Sequence, residues 1–355
     1  MEEETKEVRT AVETKGNGQG KKKIGAWGCC GIFCAGFFLF LTVSVVMMGR
    51  ACASCASSIS SETAAKEAET EFLCGDPSSS NVIAVIDIRG IILPEDEVFG
   101  SQIVSPERIC HLIQTAAKDP EVKAILIRLD TPGGEVTASD VIRNELENCG
   151  KPVVAQMESM AASGGYFIAT AARKIVANRT TMTGSIGVVI RTLNYYGLFR
   201  FLGLKECIYA SGKMKAMLSG GKEIESEAEK VVQALVMETF TEFLREVSES
   251  RGIPMEKLRD SDICDGRILS GAQAQKAGLV DTLGYFADAV AETEKLLNLP
   301  AGSAKVVHYR SGSRLLDILA SMAAPSKRLS VSLGGEPVKE FTMTPGKAYF
   351  LPSFP

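Results

Sequence analysis

The sequence has very little histidine, and it has no group of residues at the spacing typical of a metal site. Only His111 and His308 occur in 355 residues, so a mechanism that needs an imidazole base must use one of these two. Cys52-x-x-Cys55 has no second pair of ligands at a zinc-like spacing. The Gly-Lys-Ser/Thr ending of phosphate-binding loops is absent as well. We therefore expect neither a metal ion nor a bound cofactor.

Neither composition nor charge indicates a disordered chain or a small disulfide scaffold. The chain is 45% hydrophobic and 23% charged, with 33 glycines and 13 prolines, which is typical of a globular protein with one large or two modest domains. The formal charge is -4, and residues 1–50 carry seven Lys/Arg against five Glu, which leaves -6 for the remainder. An acidic remainder argues against a nucleic-acid partner.

A run of 26 residues without a charged side chain separates Lys23 from Arg50. Since about 20 apolar residues suffice to cross a bilayer, the run predicts a transmembrane helix over 24–49. Positive charge is concentrated before the run, which predicts that residues 51–355 lie on the extracytoplasmic side of the cell membrane. A cleaved signal peptide is the alternative, because Ala51-Cys52-Ala53 has the small residues of a cleavage site. Both interpretations place the folded part outside the cytoplasm.

After this run, buried strands alternate with glycine turns and helices, which is typical of parallel βαβ units. Strands are expected at Val82–Leu93, Val122–Leu129 and Pro152–Met157. Helices are expected from Ser105 to Lys118, up to Cys149, up to Ala172, over Ile224–Arg251 and around 270–297. We divide the chain into a cytoplasmic segment 1–23, a transmembrane helix 24–49, a tether 50–80 rich in Ser, Ala and Glu, a folded domain 81–324 and a tail 325–355.

Cysteines outside the apolar run are odd in number, so at least one is unpaired or intermolecular. There are seven of them: Cys52, Cys55, Cys74, Cys110, Cys149, Cys207 and Cys264.

Two glycine turns, Gly133-Gly134 and Ser163-Gly164-Gly165, each follow an expected strand and open an expected helix. Backbone N–H groups at a helix start point towards one spot, where they can hold an anion or an oxyanion. Such glycines can equally serve only the close packing of helix and strand. Two turns in consecutive units, one with a serine, favour the catalytic interpretation. The nucleophile elbow of ordinary serine hydrolases is absent, because Ala161 stands where that motif has glycine.

Ser163 needs a base to remove its proton. His111 and His308 are both plausible as surface or core residues. Lysine is the alternative, since Ser-Lys pairs are an established variant of the catalytic triad. A lysine has an ordinary pKa of about 10.4, and desolvation must lower this pKa to about 7 to 8 before the lysine can act as a base. Lys215 lies among apolar neighbours, and Lys213 is its nearest rival.

These motifs together resemble signal peptide peptidase A, a family of membrane-bound Ser/Lys peptidases related in fold to the Clp protease subunit and to enoyl-CoA hydratases. The resemblance covers residues 81 to about 290. It implies an α/β fold of the Clp/crotonase type, with stacked parallel sheets and flanking helices. The segments that resemble the family are Asp130–Gly134, Met160–Tyr166, Thr183–Val188, Ser211–Lys215 and Asp265–Arg267 through Gly278–Asp281.

By this resemblance Ser163 is the expected nucleophile, Lys215 the general base and Ser185 the residue that orients the lysine amine. The oxyanion hole is expected to use Gly133, Gly134 and the N–H of Gly164. Clp-type relatives have a histidine in the turn after the nucleophile helix, and this chain has Thr183-Gly184-Ser185 there. Asp130-Thr131-Pro132 departs from the Asn-Ser-Pro that the family often has, which we expect to change turn bonding rather than chemistry.

The resemblance implies a membrane-anchored serine endopeptidase that cleaves signal-peptide remnants and other unfolded apolar peptides. Each motif occurs once, as in short family members that form ring-like homo-oligomers. In such members the serine and the lysine of one site can come from neighbouring chains. The apolar stretch Tyr195–Leu204 suits such a contact. The alternatives are a crotonase-like CoA-binding enzyme and a catalytically inactive membrane scaffold.

Overall fold

The structure is a computed structural model that describes residues 68–94, 103–311 and 348–350. The expected transmembrane helix 24–49 lies outside these ranges, as does all but 348–350 of the expected tail. Within the described ranges, no helix combines the length and the apolar character needed to cross a membrane.

The described chain has the α/β architecture that the sequence predicts, with a sheet made mainly of parallel strands. In chain order the strands are β1 Ala68–Gly75, β2 Val82–Arg89, β3 Ile91–Ile92, β4 Ile103–Val104, β5 Val122–Thr131, β6 Gly134–Glu135, β7 Val153–Ala162, β8 Lys174–Ala177, β9 Met182–Gly184, β10 Val189–Ile190, β11 Ile268–Ser270, β12 Thr282–Leu283, β13 Lys305–Ser311 and β14 Ala348–Phe350. The main sheet has the order β1-β13-β2-β5-β7-β8-β12, and β9 pairs with β7 and β11. A second sheet has the order β10-β14-β6-β3-β4.

Helices connect the parallel strands, as expected for βαβ units. They are α1 Pro106–Lys118, α2 Val136–Asn148, α3 Gly164–Ala169, α4 Tyr196–Phe201, α5 Ser226–Arg251, α6 Met255–Arg259, α7 Gly271–Lys276 and α8 Phe286–Leu296, with 3-10 turns at Lys213–Ala216 and Asp262–Cys264. The start of α1 is confirmed: Ser105 caps it by accepting a hydrogen bond from the backbone N–H of Arg108, and Pro106 occupies the first turn.

Apolar residues are buried on both faces of the main sheet, which explains why its central strands read as continuous apolar runs. On one face the buried residues pack with Ala289 and Val290 of α8. On the other face a larger cluster includes buried residues of α1, α2, α3 and α5. The strands β5 and β7 therefore lie between two buried apolar layers.

The folded part begins before Asn81, where the sequence analysis places its start. Residues 68–75, assigned to the tether, form β1, which pairs antiparallel with β13. The sequence signal is weak because β1 is an edge strand whose described side chains are largely exposed, so it needs no apolar run.

The expected strand Val82–Leu93 is two strands in two different sheets. β2 ends at Arg89, and Gly90 adopts a φ of +107°, a conformation that favours glycine. The chain then enters the second sheet as β3, which pairs with β4 and β6.

Candidate active site

Three turns meet at the carboxyl ends of β5, β7 and β9. Thr131 at the end of β5 pairs with Ala161 of β7, and Ala162 pairs with Gly184 at the end of β9. The backbone N–H of Ser163 donates to the carbonyl of Gly184 at 2.8 Å. The structure thus brings Ser163, the Gly133-Gly134 turn and the turn at Ser185 to one edge of the sheet.

Ser163 combines a strained backbone with an unsatisfied hydroxyl. Its φ is +54° and its ψ is -114°, which is unusual for any residue with a Cβ. The residue is fully buried, and its Oγ has no hydrogen-bond partner among the described residues. Strain and unpaired buried polar atoms both cost stability and are concentrated at functional sites. Because Ser163 immediately precedes α3, the N–H groups of the first helical turn lie beside it.

Ser185 also has a positive φ, of +48°, and is almost fully buried. Its backbone N–H donates to the carbonyl of Arg267 at 2.8 Å, which fixes the turn against the chain segment just before β11. Ser163 and Ser185, the two serines that the resemblance singles out, thus both have a positive φ and lie at the ends of paired strands.

The Gly133-Gly134 turn needs glycine at both positions. Gly133 has a φ of +98°. A Cβ on Gly134 would lie 1.9 Å from the carbonyl oxygen of Ile92, so no side chain fits there. The N–H of Gly133 donates to Thr131 Oγ1 at 3.0 Å and is already satisfied within its own turn. Gly134 is the residue that faces β14, through the Gly134–Phe350 pair.

The two candidate lysines differ in their partners. Lys213 donates a hydrogen bond to Glu227, which raises the pKa of Lys213 and favours its charged form. Lys215 lies two residues further along the same 3-10 turn, and its side chain is exposed. No hydrogen bond joins Lys215 to Ser163, whose hydroxyl is unpartnered among the described residues. The described chain therefore brings the Ser163 and Ser185 turns together and shows no hydrogen bond between Lys215 and Ser163.

Neither histidine is bonded to the Ser163 hydroxyl, for the same reason. His308 belongs to β13 and lies 3.5 Å from a carboxylate oxygen of Asp87. Burial lowers its pKa, although the Asp87 carboxylate opposes this shift. No group of three or more His, Cys, Asp or Glu side chains in the described ranges could hold a metal ion.

Helix α3 is held by two buried contacts that the sequence analysis did not assign. Tyr166 is fully buried and donates its hydroxyl proton to the carbonyl of Leu279 at 3.0 Å. The buried Arg143 side chain of α2 donates to Thr170 Oγ1 at 2.9 Å and forms an ion pair with Glu246 of α5. A signal for Arg143 exists in the sequence, since it lies within the apolar stripe of α2 next to Ile142 and three residues before Leu146.

A strand from the C-terminal region lies in this neighbourhood. β14 is inserted between β6, which begins at Gly134, and β10, which follows Ser185 by four residues. Tyr349 pairs with Glu135 on one side and with Val189 on the other. The position between β6 and β10 can therefore pair with an extended segment on both sides.

Comparison with known proteins shows the family of this chain. The profile described as peptidase family S49 matches residues 145–300, and the profile described as Clp protease matches residues 76–195. A putative signal peptide peptidase SppA of Enterococcus faecium is 32% identical over 247 residues, which are 68% of this chain and 71% of that protein. A putative protease of Methanocaldococcus jannaschii is 34% identical over 216 residues, 60% of this chain and 68% of that protein. Protease 4 of Salmonella typhi is 35% identical over 255 residues, 70% of this chain but 40% of its own length.

The family match and the relatives together identify this α/β protein as a peptidase. The chain belongs to peptidase family S49, the family to which the signal peptide peptidase resemblance pointed.

Proposed function

We propose that this chain is a membrane-anchored serine endopeptidase in which Ser163 is the nucleophile and Lys215 of a second copy is the general base. Ser185 orients the lysine amine, and the N–H groups of Gly134 and Gly164 stabilise the oxyanion. The substrates are signal-peptide remnants and other unfolded apolar peptides. The observation that carries the proposal is the unpartnered, fully buried hydroxyl of Ser163 on a strained backbone.

The nucleophile assignment rests on the surroundings of that hydroxyl. A serine is activated when an adjacent base removes its proton. The Ser163 hydroxyl is bonded to no described group, so it is free to donate its proton to such a base. Gly164 follows Ser163 as the first residue of α3, and Gly134 faces the neighbouring strand position, so both can offer N–H groups to a developing oxyanion.

Lys215 is a better candidate for the base than Lys213. The carboxylate of Glu227 stabilises the ammonium form of Lys213, and a lysine base must lose that charge. No ion pair involves Lys215 among the described residues. Its exposure in the single chain means that desolvation has to come from another molecule.

A second copy of this chain supplies that cover. The segment 193–209, which precedes the lysine turn, exposes an unusual amount of apolar surface, including Phe201 at 86% and Tyr209 at 97%. Contiguous exposed apolar patches mark interaction sites. Burying this patch against a neighbouring chain brings Lys215 under cover, and a closed ring repeats the contact at every site.

The substrate is proposed to bind as an added strand between β6 and β10. β14 already pairs there with both strands, so the backbone groups of Glu135 and Val189 accept an extended segment. Only an unfolded segment can enter such a position. The uncharged run 24–49 and the relative named signal peptide peptidase SppA support a membrane-embedded or membrane-derived substrate.

A fluorophosphonate probe and a quenched peptide substrate test the assignments on the detergent-solubilised full chain. Wild type is expected to be labelled and to hydrolyse the peptide, and Ser163→Ala is expected to lose both. Lys215→Ala is expected to lose hydrolysis, whereas the matched variant Lys213→Ala retains it. Labelling that persists in Ser163→Ala would contradict the nucleophile assignment. Equal losses in both lysine variants would contradict the choice of base. A CoA-binding enzyme or an inactive scaffold predicts no labelling at all.

A further inference from the structure

Thr131 contacts both turns that carry the proposed oxyanion hole, at Gly133 and at Gly165. It is the last residue of β5 and is fully buried. Its Oγ1 accepts the hydrogen bond from Gly133 N–H at 3.0 Å, which closes the turn before Gly134. A Cβ built on Gly165 would lie 2.7 Å from Thr131 Cγ2, so the threonine methyl packs directly against the first turn of α3.

We infer that Thr131 is a positioning residue that sets the distance between the Gly134 N–H and the Ser163 hydroxyl. The inference rests on the proposed function. The hydroxyl of Thr131 holds the Gly133 peptide, and that peptide determines where Gly134 presents its own N–H group. The methyl of Thr131 meets Gly165, two residues after Ser163. One side chain therefore connects the oxyanion turn to the nucleophile helix.

Two features at the end of β5 favour this positioning role for Thr131. The ladder between β5 and β7 changes register between Leu129 and Thr131, so the pairing at the end of β5 is irregular. The side chain of the preceding residue, Asp130, accepts a hydrogen bond from the backbone N–H of Met160 and therefore bonds to β7. The Gly133 N–H is satisfied within its own turn, whereas Gly134 faces β14, where the proposed substrate strand would lie.

Two substitutions of Thr131 test the roles of its hydroxyl and its methyl separately. Thr131→Val keeps the shape against Gly165 and removes the acceptor for Gly133 N–H. Thr131→Ser keeps the acceptor and removes the methyl. Because displacement of a catalytic group by about 1 Å can cost about 100-fold in rate, we expect Thr131→Val to lower kcat and kcat/KM together by about 10- to 100-fold, with KM nearly unchanged. Thr131→Ser is expected to stay within about threefold of wild type in kcat.

A matched control is Thr293→Val in α8. Thr293 is also a fully buried threonine, and its hydroxyl donates to the main-chain carbonyl of Ala289 at 2.7 Å. Thr293→Val is expected to lower the melting temperature without changing kcat. The inference is overturned if Thr131→Val keeps wild-type kcat, because the hydroxyl would then not position the oxyanion turn.

The same series includes Ser163→Ala, which separates this inference from the proposed function. If Ser163→Ala remains active, the proposed function fails whatever the threonine variants do. If Ser163→Ala is inactive and Thr131→Val is fully active, only the positioning role fails.

Discussion

Ser163→Ala is expected to make the protein more stable while abolishing its activity. In the native chain the Ser163 hydroxyl is buried without a hydrogen-bond partner among the described residues. Burial of an unsatisfied polar group costs about 1 to 3 kcal/mol, and alanine removes this group while leaving the backbone conformation as it is. The free energy of unfolding should therefore rise by about 1 to 3 kcal/mol. For a domain of about 150 to 250 residues, each kcal/mol raises the melting temperature by about 2 to 4 °C.

Ser139→Ala is the matched control, because it makes the same chemical change with the opposite expected sign. Ser139 is fully buried in α2, and its hydroxyl donates to the carbonyl of Glu135 at 2.9 Å. Loss of this satisfied hydrogen bond should lower the free energy of unfolding by about 0.5 to 1.5 kcal/mol.

The assay is thermal unfolding of both variants and wild type in one detergent and at one chain concentration, because the proposed assembly would make the melting temperature depend on concentration. A Ser163→Ala protein that melts at or below the wild-type temperature would refute the reasoning. It would mean that the serine hydroxyl is satisfied in the protein and is not held free for a base.

Three further predictions concern other parts of the structure. Burial opposes ionisation of Asp281, but hydrogen bonds from Arg251 and from the Ile175 N–H outweigh it and lower the pKa of Asp281 below its usual 3.8. This stabilisation is present above the unfolded-state pKa and is lost as the pH falls through the folded-state pKa. Asp281→Asn should therefore cost about 2 to 4 kcal/mol in urea unfolding at pH 7, and its deficit should shrink below about pH 4, whereas a deficit independent of pH would contradict the prediction. Deletion of 340–355, which removes β14, should raise kcat/KM for a short peptide, and a synthetic peptide of that sequence should then compete with substrate; unchanged kinetics would show that β14 does not occupy the substrate position. Chelators should leave hydrolysis unchanged, and inhibition by a chelator that added zinc reverses would contradict this.

The α/β class and the positions of the candidate turns could be predicted from sequence for a physical reason. Central parallel strands are buried on both faces, so β2, β5 and β7 are continuous apolar runs followed by glycine turns. Ser163 lies on such a turn, whereas Ser185 follows the short strand β9 and was indicated only by the family resemblance.

Other features depend on contacts that the sequence pattern does not show. β1 was missed because an exposed edge strand needs no apolar run. The pairing of β14 with β6 joins residues more than 200 positions apart, and no local pattern specifies that register. The hydrogen bond from Gly133 to Thr131 depends on the conformation of one turn. The environment of Lys215 was also not predictable, because a single chain leaves this lysine exposed.

The most direct test of the shared active site uses two inactive parents. Ser163→Ala and Lys215→Ala chains are co-expressed in equal amounts with different affinity tags, and mixed assemblies are isolated by sequential purification on both tags. If each site takes its serine from one chain and its lysine from the next, random mixing gives about one site in four with both native residues. Peptide hydrolysis should then return to about a quarter of the wild-type rate, while each parent alone stays inactive. Mixed assemblies that carry both tags and show no hydrolysis would contradict the account.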